Sequence, residues 1–313
     1  MILKKLAKTK LILLSLYTVS HSAFGSEGDE SEQIFWLTNA VRDFKFTVEE
    51  TASALNITPE QVRNILNTQK IPDSARWTHN DTLKMLPYPG GRHPRIGFLE
   101  GAINPQRGTK AGLFAPWDDH SYVVIDLPEA IFSNLGLLFL AHTHIPTIWD
   151  QQQKTLPPIE WQRNPDGSME LSQVLPNQIA FGSRIVPRRD GADMELWLKN
   201  GTAEPLTGLR TQICVMLKGA EGFQTQTHDN KTFAQPVAIA KASNSNRAIL
   251  TAWQHCGRVW GNELVPCIHS DPVLPDCKPG ETVRVRGRII FYEGRDLNTV
   301  QKQLTAEFAS ETQ

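Results

Sequence analysis

The sequence predicts a mainly β protein: an antiparallel β-sandwich or supersandwich with a small N-terminal helical unit and a C-terminal helix. Short runs with high β propensity recur between residues 111 and 291, and no Gly-rich phosphate loop interrupts them. Turn-forming residues separate several of these runs, as at Asn164-Pro165-Asp166-Gly167 and Arg189-Asp190-Gly191. Because such turns join neighbouring strands as hairpins, we expect antiparallel pairing.

Residues 1–25 have the pattern of an export signal peptide. Four lysines precede an apolar run from Leu11 to Phe24, and small residues come just before Ser26, where we expect the mature chain to begin. The run is short for a transmembrane helix, although an uncleaved anchor is the alternative, and no later segment is apolar enough to span a bilayer. The sequence therefore predicts an exported protein, periplasmic or extracellular.

The charge of the mature chain bears on its partners. Removing the four signal lysines takes the formal net charge from −1 to −5. A mildly acidic chain argues against nucleic acid as a partner. The 288 residues that remain of 313 allow one large β domain or two smaller domains.

Residues 26–70 are predicted to form the small helical unit. An apolar stripe runs through Gln33 to Phe44, Thr47 and Glu50 form a capping box, and Pro59 suits the first position of a further helix. This spacing also resembles a helix-turn-helix, but the segment is not basic and an exported protein meets no operator DNA. We therefore expect a helical cap on the β domain or a small interaction module.

The β-sandwich domain is predicted over residues 71–295 and the C-terminal helix over residues 296–313. Residues 71 to 94 indicate an irregular but packed lead-in, because prolines and glycines alternate there with large apolar side chains. The predicted strands after it are Ala111–Phe114, Tyr122–Leu127, Leu137–Thr143, Ile179–Val186, Met194–Leu198, Gln212–Leu217, Pro236–Ala240, Ile249–Trp253 and Thr282–Phe291.

Two stretches of the β region resemble a known fold. MELWLKNGTAEPLTGLRTQICVML and PDCKPGETVRVRGRIIFYEG are similar to paired strands of large secreted bacterial β-sandwiches of the galactose-mutarotase-like, or supersandwich, type. The resemblance implies a supersandwich fold and a function linked to carbohydrate. It rests on strand and turn patterns, so it transfers no catalytic residue to a position in this chain.

The segment from Leu137 to Trp149 carries the clearest chemical signal. With a period of two, its apolar residues fall on both faces, which predicts a buried strand ended by Pro146, and His142 and His144 share one face near the strand's exit. Their Cβ atoms would lie about 7 Å apart. The pair could bind a divalent metal ion, move a proton or contact a ligand, or it could be a structural, hydrogen-bonded pair.

Further candidate groups precede this strand. A metal ion or a proton relay would need a third group, and His93, Glu100, Asp118, Asp119 and His120 lie in loops where such groups collect. The same loop holds residues that could bind a sugar or a carboxylated sugar through ring stacking and guanidinium contacts. These are Arg92, His93, Arg95, Glu100, Arg107, Lys110, Trp117 and His120. A solvated loop with a few ion pairs is the alternative.

The cysteines all lie in the last hundred residues. In an exported protein an even number of cysteines favours disulfides, and we expect one between two of Cys256, Cys267 and Cys277, in a segment that has little regular periodicity. Zinc and free buried thiols are the alternatives, with His255 and His269 close by in sequence. Cys214, between Ile213 and Val215, is expected to be a core thiol.

Two classes of function remain. The first is a carbohydrate-active enzyme in which His142 or His144 moves a proton with Glu100, Asp118 or Asp119 as its partner. The second is a protein without catalytic activity that recognises a glycan or a cell-envelope component in the same pocket. A β-sandwich that binds metal at His142 and His144 is a further alternative, and the cofactor would then be a divalent ion.

Overall fold

The computed structural model describes residues 30–69, 81–91, 93–97, 108–142 and 145–309. The predicted signal peptide and residues 71–80 of the predicted lead-in therefore lie outside the described residues. No described helix has both the length and the apolar character needed to cross a membrane.

The helices and strands follow one another along the chain with few long gaps. Those before residue 152 are α1 (Glu30–Thr38), a π-helical turn (Asn39–Asp43), α2 (Val48–Leu55), α3 (Pro59–Gln69), β1 (Met85–Pro87), a 3₁₀ turn (Pro94–Ile96), β2 (Lys110–Phe114), β3 (Tyr122–Ser133), β4 (Gly136–Leu140) and α4 (Ile148–Gln151). The later elements are β5 (Gln162–Arg163), β6 (Met169–Val174), β7 (Ala180–Pro187), β8 (Gly191–Lys199), β9 (Arg210–Met216), β10 (Lys231–Ala234), β11 (Val237–Lys241), β12 (Arg247–Trp253), β13 (Cys256–Trp260), β14 (Cys267–Pro272), β15 (Thr282–Glu293) and α5 (Leu297–Ala309).

The strands of the described chain form two antiparallel sheets. Sheet A has the order β1-β2-β3-β9-β14-β13, with β4 also paired to β3. Sheet B has the order β10-β11-β12-β15-β8-β7-β6-β5. The prediction of a mainly β protein with antiparallel sheets, an N-terminal helical unit and a C-terminal helix is confirmed. Both predicted hairpin turns are present, one joining β5 to β6 and the other joining β7 to β8.

The main hydrophobic core lies between the two sheets. Alternate side chains of β3 and β9, such as Val123, Ile125 and Val215, point into it from sheet A, and Phe181 and Trp253 point into it from sheet B. The other alternate set of sheet A faces outward, away from sheet B. This outer face carries the row of polar side chains described in the next subsection.

The helical unit covers one end of the outer face of sheet A. The Phe44 ring, at the end of the π-helical turn, packs edge-on against Tyr88 and Tyr122 at centroid distances of 5.1 and 4.8 Å. It lies directly over Gly112, where an added Cβ would come within 2.3 Å of the ring. The capping box of Thr47 and Glu50 is present, and the unit packs on sheet A as a helical cap, one of the two arrangements that the sequence left open.

Helix α5 covers part of the outer face of sheet B. Its buried residues Leu304 and Phe308 pack on Val237 and Leu250 of β11 and β12. Each sheet is therefore shielded by helix on part of its outer side, which accounts for strands that are apolar on both faces.

The strand predicted at Leu137–Thr143 is shorter and differently placed than expected. β4 ends at Leu140 and pairs only with β3 in the described structure, so it is an edge strand rather than an interior one. The chain leaves the sheet at Ala141, whose N–H still donates to the Glu129 carbonyl, and Thr147 then caps α4. The apolar residues of β4 are buried partly by Trp149, which donates from Nε1 to the Leu138 carbonyl at 2.8 Å.

Candidate functional site

A row of polar side chains crosses the outer face of sheet A. Strand register places Lys110 opposite Asp126, Asp126 opposite Cys214, Cys214 opposite His269, and His269 opposite Trp260. Directly opposed residues project from the same face of a sheet, so these five side chains form one row across β2, β3, β9, β14 and β13. Four of them are buried, which is unusual for ionisable groups unless they are paired.

The Lys110 and Asp126 end of the row is a buried ion pair. Lys110 Nζ lies 3.1 Å from Asp126 Oδ2, and each side chain is 1% exposed. The Thr109 hydroxyl also donates to the other oxygen of Asp126. Burial on this scale excludes solvent screening, so each charge depends on the other.

Glu129 enters the same face through an irregularity in β3. The pairing of β3 with β9 shifts between Asp126 and Ala130, and this bulge contains Glu129. Glu129 Oε1 lies 2.8 Å from His142 Nε2, whereas Oε2 has no hydrogen-bond partner among the described residues. Burial raises the pKa of Glu129, but the hydrogen bond with His142 and the charges of His269, His142 and Lys110 outweigh it, so the pKa is lowered and the group is a carboxylate.

His269 is the fourth residue of the row, between Cys214 and Trp260, and is 2% exposed. Its ring stacks on Trp260 with centroids 4.1 Å apart, and its Nδ1 lies 3.5 Å from Asp271 Oδ1 and 3.8 Å from Glu129 Oε2. Burial lowers the pKa of His269, but the neighbouring Asp271 and Cys267 side chains and the negative charge of Glu129 raise it to about 10.

Asp271 links this cluster to the surface. Its Oδ2 accepts hydrogen bonds from Trp260 Nε1 at 2.6 Å and Arg258 Nε at 3.0 Å, and its Oδ1 accepts one from the Ile213 N–H at 3.0 Å. Asp271 also lines a cavity of about 430 Å³ in the outer face, which we call the Arg210 cleft. The cleft is lined by Phe132, Arg210, Thr211, Gln212, Gly257, Arg258, Asp271, Pro272 and Val273.

Guanidinium groups and aromatic rings meet at the Arg210 cleft. Arg210 is exposed and lies over the Phe132 ring at 5.5 Å, and Arg258 lies over the Trp260 ring at 4.4 Å. Arg258 is neutralised by Asp271, whereas Arg210 has no carboxylate within ion-pair distance in the described part of the chain. The cleft is therefore a polar, cationic surface with apolar ring faces at its border.

The cysteines are free thiols, so the expected disulfide between two of Cys256, Cys267 and Cys277 is not formed. The segment is a β13–β14 hairpin rather than a long loop, and Cys256 pairs with Pro272, five residues beyond Cys267. That offset is about 17 Å along a strand, whereas a disulfide needs Cα atoms within about 7 Å. Cys277 forms an isolated bridge with Leu206 instead.

Cys214 and Cys267 lie close together, and His269 lies beside them. Cys214, Cys267 and His269 each offer a ligand atom within 4.8 Å of the others, and all three residues are buried. The hydrogen bond from the Cys214 thiol, with support from His269, holds the pKa of Cys267 well below its usual value despite burial, and it raises the pKa of Cys214. The core position predicted for Cys214 agrees with its burial, although it lies on the outer face of sheet A.

The structure separates the site residues that the sequence grouped together. His142 is buried, pairs with Glu129 and does not line the Arg210 cleft. Asp119 is exposed and does not line the Arg210 cleft. His144, Glu100, Arg92 and Arg107 lie outside the described residues, so their predicted roles stay predictions. The metal site predicted at His142 and His144 stays a prediction for the same reason.

The remaining candidates for ligand binding have structural contacts. His93 is buried and stacks on Phe46 at 4.5 Å, and Lys110 pairs with Asp126. Trp117 stacks on Phe223 at 5.5 Å, away from the cleft lining. His120 is exposed and lies 3.3 Å from Asp118 and 3.2 Å from Glu221.

Sequence reasoning missed Glu129, Asp271, Arg210 and Arg258. The alternation of Cys267, His269 and Asp271 is a pattern of period two that places all three on one strand face, and it could have been recognised once that segment was taken as a strand. The role of Glu129 depends on a bulge and on its register with β9, neither of which the local sequence encodes.

Comparison with known proteins finds partial structural likeness and no sequence family. No family model and no curated protein matches this chain. A candidate kojibiose phosphorylase from the human microbiome matches with a TM-score of 0.34 and 7% identity. The match covers 64% of this chain and 26% of the phosphorylase chain. A polysaccharide lyase matches with a TM-score of 0.36 and 13% identity. The match covers 70% of this chain and 34% of the lyase chain.

A further match is a candidate aldose 1-epimerase from Klebsiella pneumoniae, with a TM-score of 0.31 and 9% identity. It covers 59% of this chain and 65% of its own. The chain thus spans less than two thirds of the length of each of these proteins. Overlap at this level does not assign the chain to a family.

Proposed function

We propose that this protein is exported and that it binds or acts on a carbohydrate carrying carboxylate groups, in the Arg210 cleft. The observation that carries the proposal is the exposed Arg210 guanidinium, which lies over Phe132 and has no carboxylate partner among the described residues. A guanidinium binds a carboxylate through two parallel hydrogen bonds, and Arg210 has this capacity unused.

The surroundings of Arg210 suit a sugar ring. The Phe132 ring can pack against the C–H side of a pyranose, while the partly exposed Gln212 amide offers hydrogen bonds to hydroxyl groups. A cavity of about 430 Å³ has room for a short stretch of a polysaccharide rather than for a whole domain. The mildly acidic chain disfavours nucleic acid as the bound polyanion.

A catalytic role is the second candidate, and the pair of Glu129 and His142 favours it. Polar contacts run from Asp271 in the cleft to His269 at 3.5 Å, from His269 to Glu129 at 3.8 Å, and from Glu129 to His142 at 2.8 Å. A carboxylate and an imidazole held together beside a binding cleft are the groups that lyases, epimerases and hydrolases use to move protons. His144 and Glu100 remain proposed partners of this pair.

The test is a comparison of binding and turnover on matched polymers. The purified protein is titrated with a polyuronate and with a neutral polysaccharide of similar linkage, and each is also examined for shortened or modified products. We expect preference for the polyuronate and a loss of at least about tenfold in affinity for Arg210→Ala, since one charged contact contributes roughly 1.5–3 kcal/mol.

Arg284→Ala is the matched control, because Arg284 is a cation of sheet B paired with Glu195 at 2.6 Å and lies far from the cleft lining. If Arg284→Ala weakened binding as much as Arg210→Ala does, the polysaccharide would bind outside the Arg210 cleft. Absence of both binding and turnover with every polyuronate would overturn the proposal. If the wild-type protein turns over a polyuronate, and Glu129→Gln abolishes this turnover but keeps binding, the protein is an enzyme and Glu129 takes part in its reaction.

A further inference from the structure

The chain brings together a buried group of metal-ligating side chains that does not include His142. Cys214 is 5% exposed, Cys267 is 1% and His269 is 2%. Strand register explains their approach: Cys214 is opposite His269, and Cys267 lies two residues from His269 on the same face of β14. Their ligand atoms lie within 4.8 Å of one another.

The chemistry of these three groups is selective. Two cysteines and one imidazole suit Zn²⁺ and similar transition metal ions, whereas Mg²⁺ and Ca²⁺ prefer oxygen ligands. A tetrahedral zinc ion with bonds of about 2.3 Å to sulfur and about 2.0 Å to nitrogen separates its ligand atoms by roughly 3.5–3.8 Å. Side-chain shifts of about 1 Å or less would bring the three atoms to that spacing.

Unpaired polar atoms beside the cluster form a second, independent observation. His269 Nδ1 and Glu129 Oε2 are buried and have no hydrogen-bond partner within the described ranges. Nδ1 nevertheless lies near two carboxylates, Asp271 at 3.5 Å and Glu129 at 3.8 Å. A carboxylate next to a metal-bound imidazole is the usual partner that fixes the ring, and a divalent cation would offset buried negative charge here.

We propose that Cys214, Cys267 and His269 bind one Zn²⁺ ion or a similar thiolate-preferring transition metal ion. Glu129 and Asp271 are positioning residues that orient the imidazole, and the fourth coordination position is left to water or another small ligand. The ion would lie within the polar row and would join β9 to β14. The proposal does not depend on carbohydrate binding, because the ligands are complete without the cleft.

The experiment uses Co²⁺ as a spectroscopic probe of the full-length protein, purified under reducing conditions and freed of metal with a chelator. We expect about one Co²⁺ per chain, with the thiolate-to-cobalt charge-transfer band and the intense visible absorption of tetrahedral cobalt, and displacement of both by Zn²⁺. Cys267→Ser and His269→Gln should lose the tetrahedral spectrum. Glu129→Gln should keep it with an affinity about 10- to 100-fold lower.

Cys256→Ser is the control, since Cys256 lies outside the cluster and should leave the cobalt spectrum unchanged. Circular dichroism of each variant shows whether it is folded. If a variant is unfolded, the cobalt spectrum of the wild-type protein alone decides whether the metal site exists. Absence of the thiolate band from folded, reduced wild-type protein overturns the proposal. A Cys214–Cys267 disulfide that persists in place of the band, detected by thiol counting, also overturns it.

Discussion

The Lys110 ammonium lies 3.1 Å from Asp126 Oδ2, in a position where neither side chain has more than 1% of its surface exposed. The two residues are directly opposed on β2 and β3, next to the turn Gly108–Thr109 that follows the undescribed part of the loop. A buried ion pair stabilises a fold little more than two apolar side chains would. Removing one partner is costly, because the other charge then stays buried without compensation.

Lys110→Met is therefore expected to lower the free energy of unfolding by about 3–5 kcal/mol, because it leaves the Asp126 carboxylate buried without its cation. The double variant Lys110→Met with Asp126→Leu should recover most of that loss. Urea denaturation of the single and double variants measures both. Additive effects of the two substitutions would contradict the pairing.

His142→Ala is expected to destabilise the fold by about 3 kcal/mol, since it removes the hydrogen-bonded partner of the buried Glu129 carboxylate. Adding Glu129→Gln to His142→Ala should restore part of the stability, because no charge then stays buried. A thermal melt of His142→Ala within about 2 °C of wild type would show that the pair contributes little.

Stability should fall in mild acid because of His93. Burial lowers the pKa of His93, and the charge of Arg95 lowers it further while Glu50 raises it, to a result of about 4. The folded state therefore resists a proton that the unfolded state accepts near pH 6.5. The contribution of neutral His93 is complete above about pH 6.5, and it is lost by up to about 1.4 kcal/mol per pH unit as the pH falls towards 4.

Comparison of wild type with His93→Phe isolates this effect. Phenylalanine keeps the stacking on Phe46 but cannot titrate, so the difference in unfolding free energy between the two proteins should change between pH 6.5 and 4 and stay constant above pH 7. A difference independent of pH would show that folding does not change the pKa of His93, and would contradict this prediction.

Gly112→Ala should weaken the docking of the helical unit. An added Cβ would lie 2.3 Å from the Phe44 ring, so the ring must move away from Tyr88 and Tyr122. We expect a loss of about 1–3 kcal/mol and faster proteolysis before Thr47. Phe44→Leu combined with Gly112→Ala should lose less than the sum of the two changes, and strict additivity would contradict the contact.

Local patterns were sufficient to predict most strands and both hairpin turns, because period-two alternation and Asp-Gly turns are properties of short segments. They were not sufficient for β13 and β14, where the Gly, Pro and Asn residues between Trp260 and Cys267 concealed a hairpin. The candidate site was predicted only in part. His142 belongs to it, but its partner Glu129 is brought there by the neighbouring strand β3, and the approach of Cys214 to His269 depends on register across strands far apart in sequence.

The position of β15 sets the order in which the molecule can be completed. In sheet B this strand lies between β12 and β8, and its residues 282–290 pair with residues 191–199, about ninety positions earlier in the chain. Until the last strand has been synthesised, β10–β12 and β5–β8 are two separate ribbons with no shared hydrogen bonds. A chain cut before Thr282 would keep all five residues of the polar row on sheet A but would lack the strand that closes the opposite wall of the core. We therefore expect it to be degraded rather than to persist as a smaller active domain.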